Sequence, residues 1–372
     1  MQGSRMSGLT TTQAIAGFLT PAAIFAILLA LHVMLPAYRV EGYAHRNLGA
    51  SLPQYRLNGL AVFLCALLVW SLGLTTAPLD WLWVVKWHAI AGATALSAVL
   101  TVWIVLRAPA DGRGNLIQWL EGRSYNVQFG GHVDVKMFMY IFGGVYLALN
   151  AVSSAAYHFG QYGAASNVGL FLHSAMWVWF IADYFVFERV QLFTFDIFEE
   201  RLGFKLIAGC IVVYPLLYPV ALWGTAGLPA PDIDPSLNVV WLGGSAAVFL
   251  IGWMISRGAN FQKYIYKRAP EQTFLGLIEP VTVTDGKRNL LCSGFWGASR
   301  HMNYFGEILE ALGMAIALGH FTNFWAWIYF IYLTVFFISR ERIDERRCAA
   351  KYGELWTRYR EKVPYRLVPG VY

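Results

Sequence analysis

Apolar residues along this chain gather in nine long runs, near residues 14–36, 58–76, 82–107, 137–157, 167–188, 205–224, 237–256, 305–320 and 322–339. A bilayer core of about 30 Å is crossed by roughly 20 residues of α-helix, so these runs read as membrane-spanning helices. The last two meet near His320 to Asn323 and read as a tight helical hairpin. The pattern predicts an all-α, polytopic integral membrane protein with about 9–10 transmembrane helices.

Charge sorts between the runs. Of the 28 Lys and Arg residues, 26 fall in the loops after runs one, three, five and seven and in the tail after run nine. The other loops, 77–81, 158–166, 225–236 and 321, hold none. The exceptions are Arg5 in the N-terminal tail and Lys86 near the start of run three, where a long side chain can reach the interface. The positive-inside rule places the basic regions, including the C-terminus, in the cytoplasm and the N-terminus outside. A multi-pass protein of a bacterial inner membrane or the endoplasmic reticulum is expected, with no signal-peptide cleavage site before run one.

Composition narrows the function classes. Charged residues make up 13% of the chain and hydrophobic residues 57%, with a mean hydropathy of +0.48. Soluble domains carry about 25% charged residues. A soluble enzyme, a disordered chain and a nucleic-acid-binding protein are thereby set aside, and the net charge of +6 is a matter of topology. The density of polar groups divides the chain into residues 1–130, ordinary spans with basic loops, and residues 131–372, which carry nearly all the polar groups at membrane depth. Segments 257–304 and 340–372 hold 16 of the 28 basic residues. An anionic ligand arriving from the cytoplasm would meet them.

Other polar residues have simpler readings. Cys65, Cys210, Cys292 and Cys348 are scattered, so neither a disulfide framework nor a zinc site is expected. His88, His158 and His173 lack ligand spacing and read as structural. Asp183 lies near the cytoplasmic end of run five, where a carboxylate faces a cavity or a partner. Glu188 and Asp196 follow it and suggest an interfacial cluster pairing Arg189 and Arg201.

The chemistry concentrates in two stretches. Residues 289–307 read NLLCSGFWGASRHMNYFGE, too polar and too punctuated by glycine to be a span. In the tail, Asp344, Cys348 and Lys351 recur at i, i+4 and i+7, one face of a helix, and Tyr352 and Tyr359 form a further i, i+7 pair. Such a face suits a groove that holds a polyanion. It equally suits an amphipathic helix lying on anionic lipid through Arg346, Arg347 and Lys351.

GKRNLLCSGFWGASRHMNYFGEILEALGMAIALGH resembles the signature of the sterol reductase family, which includes Δ14-sterol reductases, 7-dehydrocholesterol reductases, Δ24(24(1))-sterol reductases and the membrane domain of the lamin B receptor. DERRCAAKYGELWTRYREKVPYR resembles that family's C-terminal block, and RGANFQKYIYKRAP, FIADYFVFERVQLFTFDIFEERLGF and DVKMF resemble three more of its blocks, in order. The resemblance covers about residues 114–372. It implies NADPH-dependent reduction of a carbon–carbon double bond, at C14 or C7, in a sterol or a related polycyclic lipid, with membrane lipids as the surroundings. By motif position it implies a cofactor pocket on the cytoplasmic side, built from Lys263, Lys267, Leu291, Trp296, Asn303, Tyr304, Asp344, Cys348, Lys351, Tyr352 and Tyr359, with Arg300 and His301 beside it. An isolated double bond needs a proton before or with the hydride, and Tyr359, Asp344 and Tyr184 are the candidate donors. No Gly-x-Gly-x-x-Gly follows a strand, so a Rossmann site is not expected.

Two alternatives stay open. RHMNYFGE also resembles the Arg-His-Pro-x-Tyr-x-Gly-Glu motif of isoprenylcysteine carboxyl methyltransferases, which use S-adenosylmethionine; Glu307 fits that motif and Met302 does not. A non-enzymatic sterol-binding protein is the second.

Overall fold

The structure is a computed structural model that describes residues 9–42, 54–75, 77–130, 132–192, 194, 197 and 200–372. Arg5, Arg46 and Asp196 therefore lie outside the described residues. Ten helices organise the rest: α1 Thr11–Met34, α2 Gly59–Ser71, α3 Lys86–Leu106, α4 Val135–Tyr162, α5 Val168–Val186, α6 Phe204–Thr225, α7 Asn238–Arg268, α8 Met302–Ala317, α9 Phe324–Tyr352 and α10 Glu354–Lys362. Each of the nine apolar runs thus contains a helix. Six of them, α1 and α3 to α7, are long and apolar enough to cross a membrane among the described residues. The fold is that of a polytopic helical membrane protein. Helix α2 has 13 residues and α8 has 16, and α9 mixes Trp and Tyr into its apolar half.

Local sequence sets the helix ends. Thr10 caps α1 in a reciprocal box with Gln13, and Asp134 caps α4 by accepting from the Met137 amide at 3.0 Å. Asn323 caps α9 through the Trp325 amide at 2.9 Å, so the hairpin between α8 and α9 is closed by a polar residue. Helix α9 stops at Gly353, whose φ of +56° lets the chain turn sharply into α10.

The chain packs as two units, residues 1–167 with 174–230, and residues 168–173 with 231–372. This division does not coincide with the change in polar density near residue 130. In the first unit α4 is the central element, and Phe138, Phe142 and Tyr146 are fully buried along it. Helices α1 and α3 meet at Gly92, where a Cβ would lie 1.8 Å from the Phe18 carbonyl. Helix α6 is π-helical over Gly209–Leu217 and contains Pro215, whose carbonyl accepts from the buried Asn150 side chain at 3.0 Å. His158 bridges backbone groups, with Nδ1 2.8 Å from the Ala226 carbonyl and Nε2 accepting from the Asn167 amide at 2.8 Å. Glu188 does not join the expected cluster with Arg189 and Arg201. Its carboxylate accepts from the Gly59 amide at 3.1 Å, where the free N–H groups of α2 attract an anion, and Arg201 pairs with Asp111 at 2.7 Å.

The second unit is built on the seam between α7 and α8. A Cβ on Gly252 would lie 2.6 Å from the Gly306 carbonyl, one on Gly306 2.4 Å from the Ser256 amide, and one on Gly313 2.6 Å from the Phe249 amide. These small residues bring the two backbones together, as in close membrane helix pairs. A short hairpin, β1 Thr282–Thr284 with β2 Asn289–Leu291, follows α7 within this unit.

Candidate functional site

The end of α7 that follows its apolar run carries Gln262 and Lys263. The Gln262 amide group holds both sides of the next segment, donating to the Ser293 carbonyl and accepting from the Phe295 amide, each at 3.0 Å. This fixes the turn Phe295–Ala298 against α7, and the Trp296 indole donates to the Ala259 carbonyl at 2.8 Å. The Lys263 ammonium then sits over the Trp296 ring, 4.4 Å from its centroid. Leu291 packs beside Trp296, Ala259 and Met302.

Helix α8 opens on this turn. His301 stacks on Tyr304 at 5.0 Å, and Tyr304 stacks on Phe337 of α9 at 4.5 Å. The Tyr304 hydroxyl donates to Asp344 Oδ2 at 2.8 Å. Asp344, Cys348 and Lys351 follow one another along α9 as the i, i+4, i+7 spacing requires, and Lys263 lies within electrostatic reach of all three. Tyr352, Trp356 and Tyr359 form an aromatic ladder through the bend into α10, with ring separations of 6.3 Å and 5.0 Å. The ladder packs on Cys292 and Cys348. The Tyr359 hydroxyl is buried and donates to the Trp296 carbonyl at 3.3 Å, which closes the ring of elements. Burial pushes that phenol well above its usual range.

Of the residues singled out by sequence, Lys263, Leu291, Trp296, Tyr304, Asp344, Cys348, Tyr352 and Tyr359 come together here. Lys267 lies within electrostatic reach of Lys263 and Lys351. Lys351 lines an open cavity of about 450 Å³ with Tyr352, Asp285, Arg288 and Arg358. The Asn303 side-chain oxygen is buried without a hydrogen-bond partner among the described residues, and so is His301 Nε2. Tyr184 belongs to the first unit, where its ring lies 6.0 Å from Tyr140.

The sequence reading missed the ion pairs behind the cluster. Glu345 meets Arg360 at 3.2 Å and Arg300 at 3.4 Å, and Glu341 meets Arg366 at 3.5 Å. The tail is pinned at the same place, since the Arg300 and His301 amides donate to the Tyr365 and Arg366 carbonyls at 3.0 Å. Arginines at 300, 360 and 366 were visible, but nothing in their spacing announces partners 15 to 45 residues away. His301, Glu341 and Glu345 place ligand-type atoms within 4.8 Å of one another, as a metal site would. Their surroundings oppose a metal cation. Three guanidinium groups already engage the two carboxylates, and burial together with the charges of Lys263, Arg300 and Arg366 holds the His301 imidazole down to about 3. Glu341 and Glu345 form an ion-pair lock with Arg300, Arg360 and Arg366.

An aromatic shelf, lysines and arginines, unpaired buried polar atoms and a short polar wall are the donor set that a phosphate-bearing, ring-containing cofactor needs. The fold and cluster define a polytopic membrane protein with a polar and aromatic cluster in its C-terminal unit. Residues 9–372 match the profile described as the ergosterol biosynthesis ERG4/ERG24 family. The chain belongs to this family. It is 36% identical to a Delta(14)-sterol reductase of Arabidopsis thaliana over 263 residues, 70% of this chain and 67% of that one. It is 31% identical over 365 residues to the Delta(14)-sterol reductase of Methylotuvimicrobium alcaliphilum, covering 92% and 80% of the two chains. A 7-dehydrocholesterol reductase of Xenopus laevis is 32% identical over 265 residues, 68% of this chain and 54% of that one.

Proposed function

We propose that this protein reduces a carbon–carbon double bond in the ring system of a sterol or a closely related polycyclic lipid, at C14 or C7, with NADPH as the reductant. The observation that carries the reading is the convergence of Lys263, Trp296, Tyr304, Asp344 and Tyr359 in one cluster of a chain whose relatives are sterol reductases. Family membership favours this over the methyltransferase and the non-enzymatic readings.

NADPH, when bound, supplies hydride. The chain has to supply the rest. Lys263, Lys267 and Lys351 offer charge to phosphates, and the Trp296 and Tyr352 rings offer faces for flat groups. Asn303 Oδ1 is an unsatisfied acceptor for an N–H donor of the cofactor. The Tyr304–Asp344 pair fixes one wall of the chamber by its hydrogen bond. A proton has to reach one alkene carbon, because hydride addition alone would leave an unstabilised carbanion. The Tyr359 hydroxyl is our choice of donor, for it is buried among apolar rings yet ends on a polar backbone group. Asp344 is the second choice, a carboxyl that would have to take up a proton from the cytoplasmic side before donating it, and that orients Tyr304 by accepting from its hydroxyl.

The test is direct. Purified protein in lipid is given NADPH and, separately, sterols unsaturated at C14 or at C7, and products are separated by mass. Loss of one double bond with matched NADPH oxidation is expected for one of these sterols. Oxidation of neither sterol pair's cofactor, together with methyl transfer from S-adenosylmethionine, would overturn the assignment.

A further inference from the structure

After α7 the chain makes a tight turn at Phe274–Ile278. Phe274 and Ile278 pair across it through N–H···O bonds of 2.8 and 3.1 Å, and the Leu277 amide donates to the Phe274 carbonyl at 3.0 Å. Leu275 and Gly276 both have positive φ, +54° and +69°. Asn, Asp or Gly is the ordinary choice for that conformation, and Leu275 is the only non-glycine residue with positive φ among the described residues. The strain serves to display apolar side chains, since Leu275 is 68% and Leu277 84% exposed.

The base of the turn is fixed. Phe274 is buried, with its ring 6.0 Å from Phe261 on α7 and 6.4 Å from Phe295. Phe295 in turn lies against Gly258, where a Cβ would come within 2.5 Å of its ring. These contacts set the height of the turn along α7. The apolar run of α7 ends near Ser256, and Phe261 is five residues on, about 8 Å at 1.5 Å per residue. The chain has therefore run out to Arg268 and folded back towards the membrane. The headgroup layer is about 5–8 Å thick on each side of the hydrocarbon, so the turn is held at the level of that layer.

We propose that Leu275 and Leu277 are inserted in the interfacial layer of the bilayer around α7, as a foot that ties the Phe295–Ala298 turn to the lipid surface. The occupant of this apolar tip is lipid. Continuity with the apolar run of α7 favours it. Arg268 before the turn is offset by Glu271 and Glu279, so attraction to anionic lipid is not the driving term. Apolar burial is, and zwitterionic lipid suffices.

The full chain is placed in phosphatidylcholine nanodiscs, with Leu277→Cys carrying an environment-sensitive fluorophore and the unsubstituted chain labelled alike as the blank. Lipids bearing a nitroxide near the headgroup are expected to remove about half of the emission, and lipids bearing it at the acyl terminus much less. Lys287→Cys, in the exposed hairpin of this unit, is the reference and is expected to lose little with either. Leu275→Cys repeats the measurement from the other side of Gly276, with thermal midpoints confirming that each variant is folded. Quenching of both leucine positions by aqueous iodide but by neither lipid would overturn the proposal. So would a shielded signal that persists in detergent, which would point to a protein partner.

Discussion

Tyr359 and Lys263 flank Trp296 in different ways, one on its carbonyl and one on its ring. Their substitutions therefore separate chemistry from cofactor holding. Tyr359→Phe keeps the ring in the ladder and removes one hydroxyl. NADPH affinity is expected to hold while turnover falls about 10²- to 10⁴-fold, the range for loss of a general acid; near-normal sterol reduction would remove Tyr359 from the donor role. On the proposed function, with Lys263 assigned to the 2′-phosphate, Lys263→Ala is expected to weaken NADPH at least tenfold and NADH less. Equal losses would assign it to the shared pyrophosphate instead. His301 gives a different signature. Its imidazole is held at about 3 by burial and neighbouring cations, against about 6.5 in an unfolded chain. Between these values only the unfolded chain takes the proton, so stability is complete above pH 6.5 and declines as the pH falls towards 3. The His301→Gln variant is expected to lose thermal midpoint less steeply between pH 6.5 and 4.5 than the parent, and parallel curves would contradict that origin.

Among the elements, the α7–α8 seam is where a small change should be felt most. Gly306→Ala drives a methyl group into the backbone of α7 at Ser256, and no side chain is there to move aside. A loss of about 1–3 kcal/mol is expected, the usual cost of overpacking, seen as a lower thermal midpoint and weaker nucleotide binding. Gly243→Ala on the same helix meets nothing within 4 Å and should be neutral or mildly stabilising. Comparable losses in both variants would show that close packing at the seam does not set the effect. Hydropathy made the helices legible, because a span is a local property of some 20 residues. The i, i+4, i+7 face of Asp344, Cys348 and Lys351 was legible for the same reason. Pairing over long separations was not. Glu188 sits at the start of α2, 129 residues away in sequence, and no periodicity encodes that.

For the whole molecule, the sorting of 26 of 28 basic residues makes a prediction about sidedness. A cysteine at Asp232, an exposed position, is expected to react with an impermeant reagent only from the non-cytoplasmic face, and one at Lys287 only from the cytoplasm. Labelling of position 232 from the cytoplasm would invert the arrangement. All eleven residues inferred by resemblance lie in one packing unit, and eight of them meet around the Trp296 turn. The arginine–glutamate lock was hidden for a physical reason. Charged residues near a membrane end read as interfacial anchors, and only packing reveals which of them are buried against a carboxylate.

The π-helical stretch in α6 bears on how the chain accepts changes of length. A π turn is an α-helix that has taken in one extra residue. Within Gly209–Leu217 a deletion can be absorbed by tightening the turns, and the face presented further along the helix is preserved. Helix α7 has no such slack. Removing one residue ahead of Gln262 would rotate the rest of that helix by about 100° and carry Gln262 and Lys263 away from the Trp296 turn. Length can change in α6 through its π turns, while α7 acts as a ruler for the cluster around Trp296.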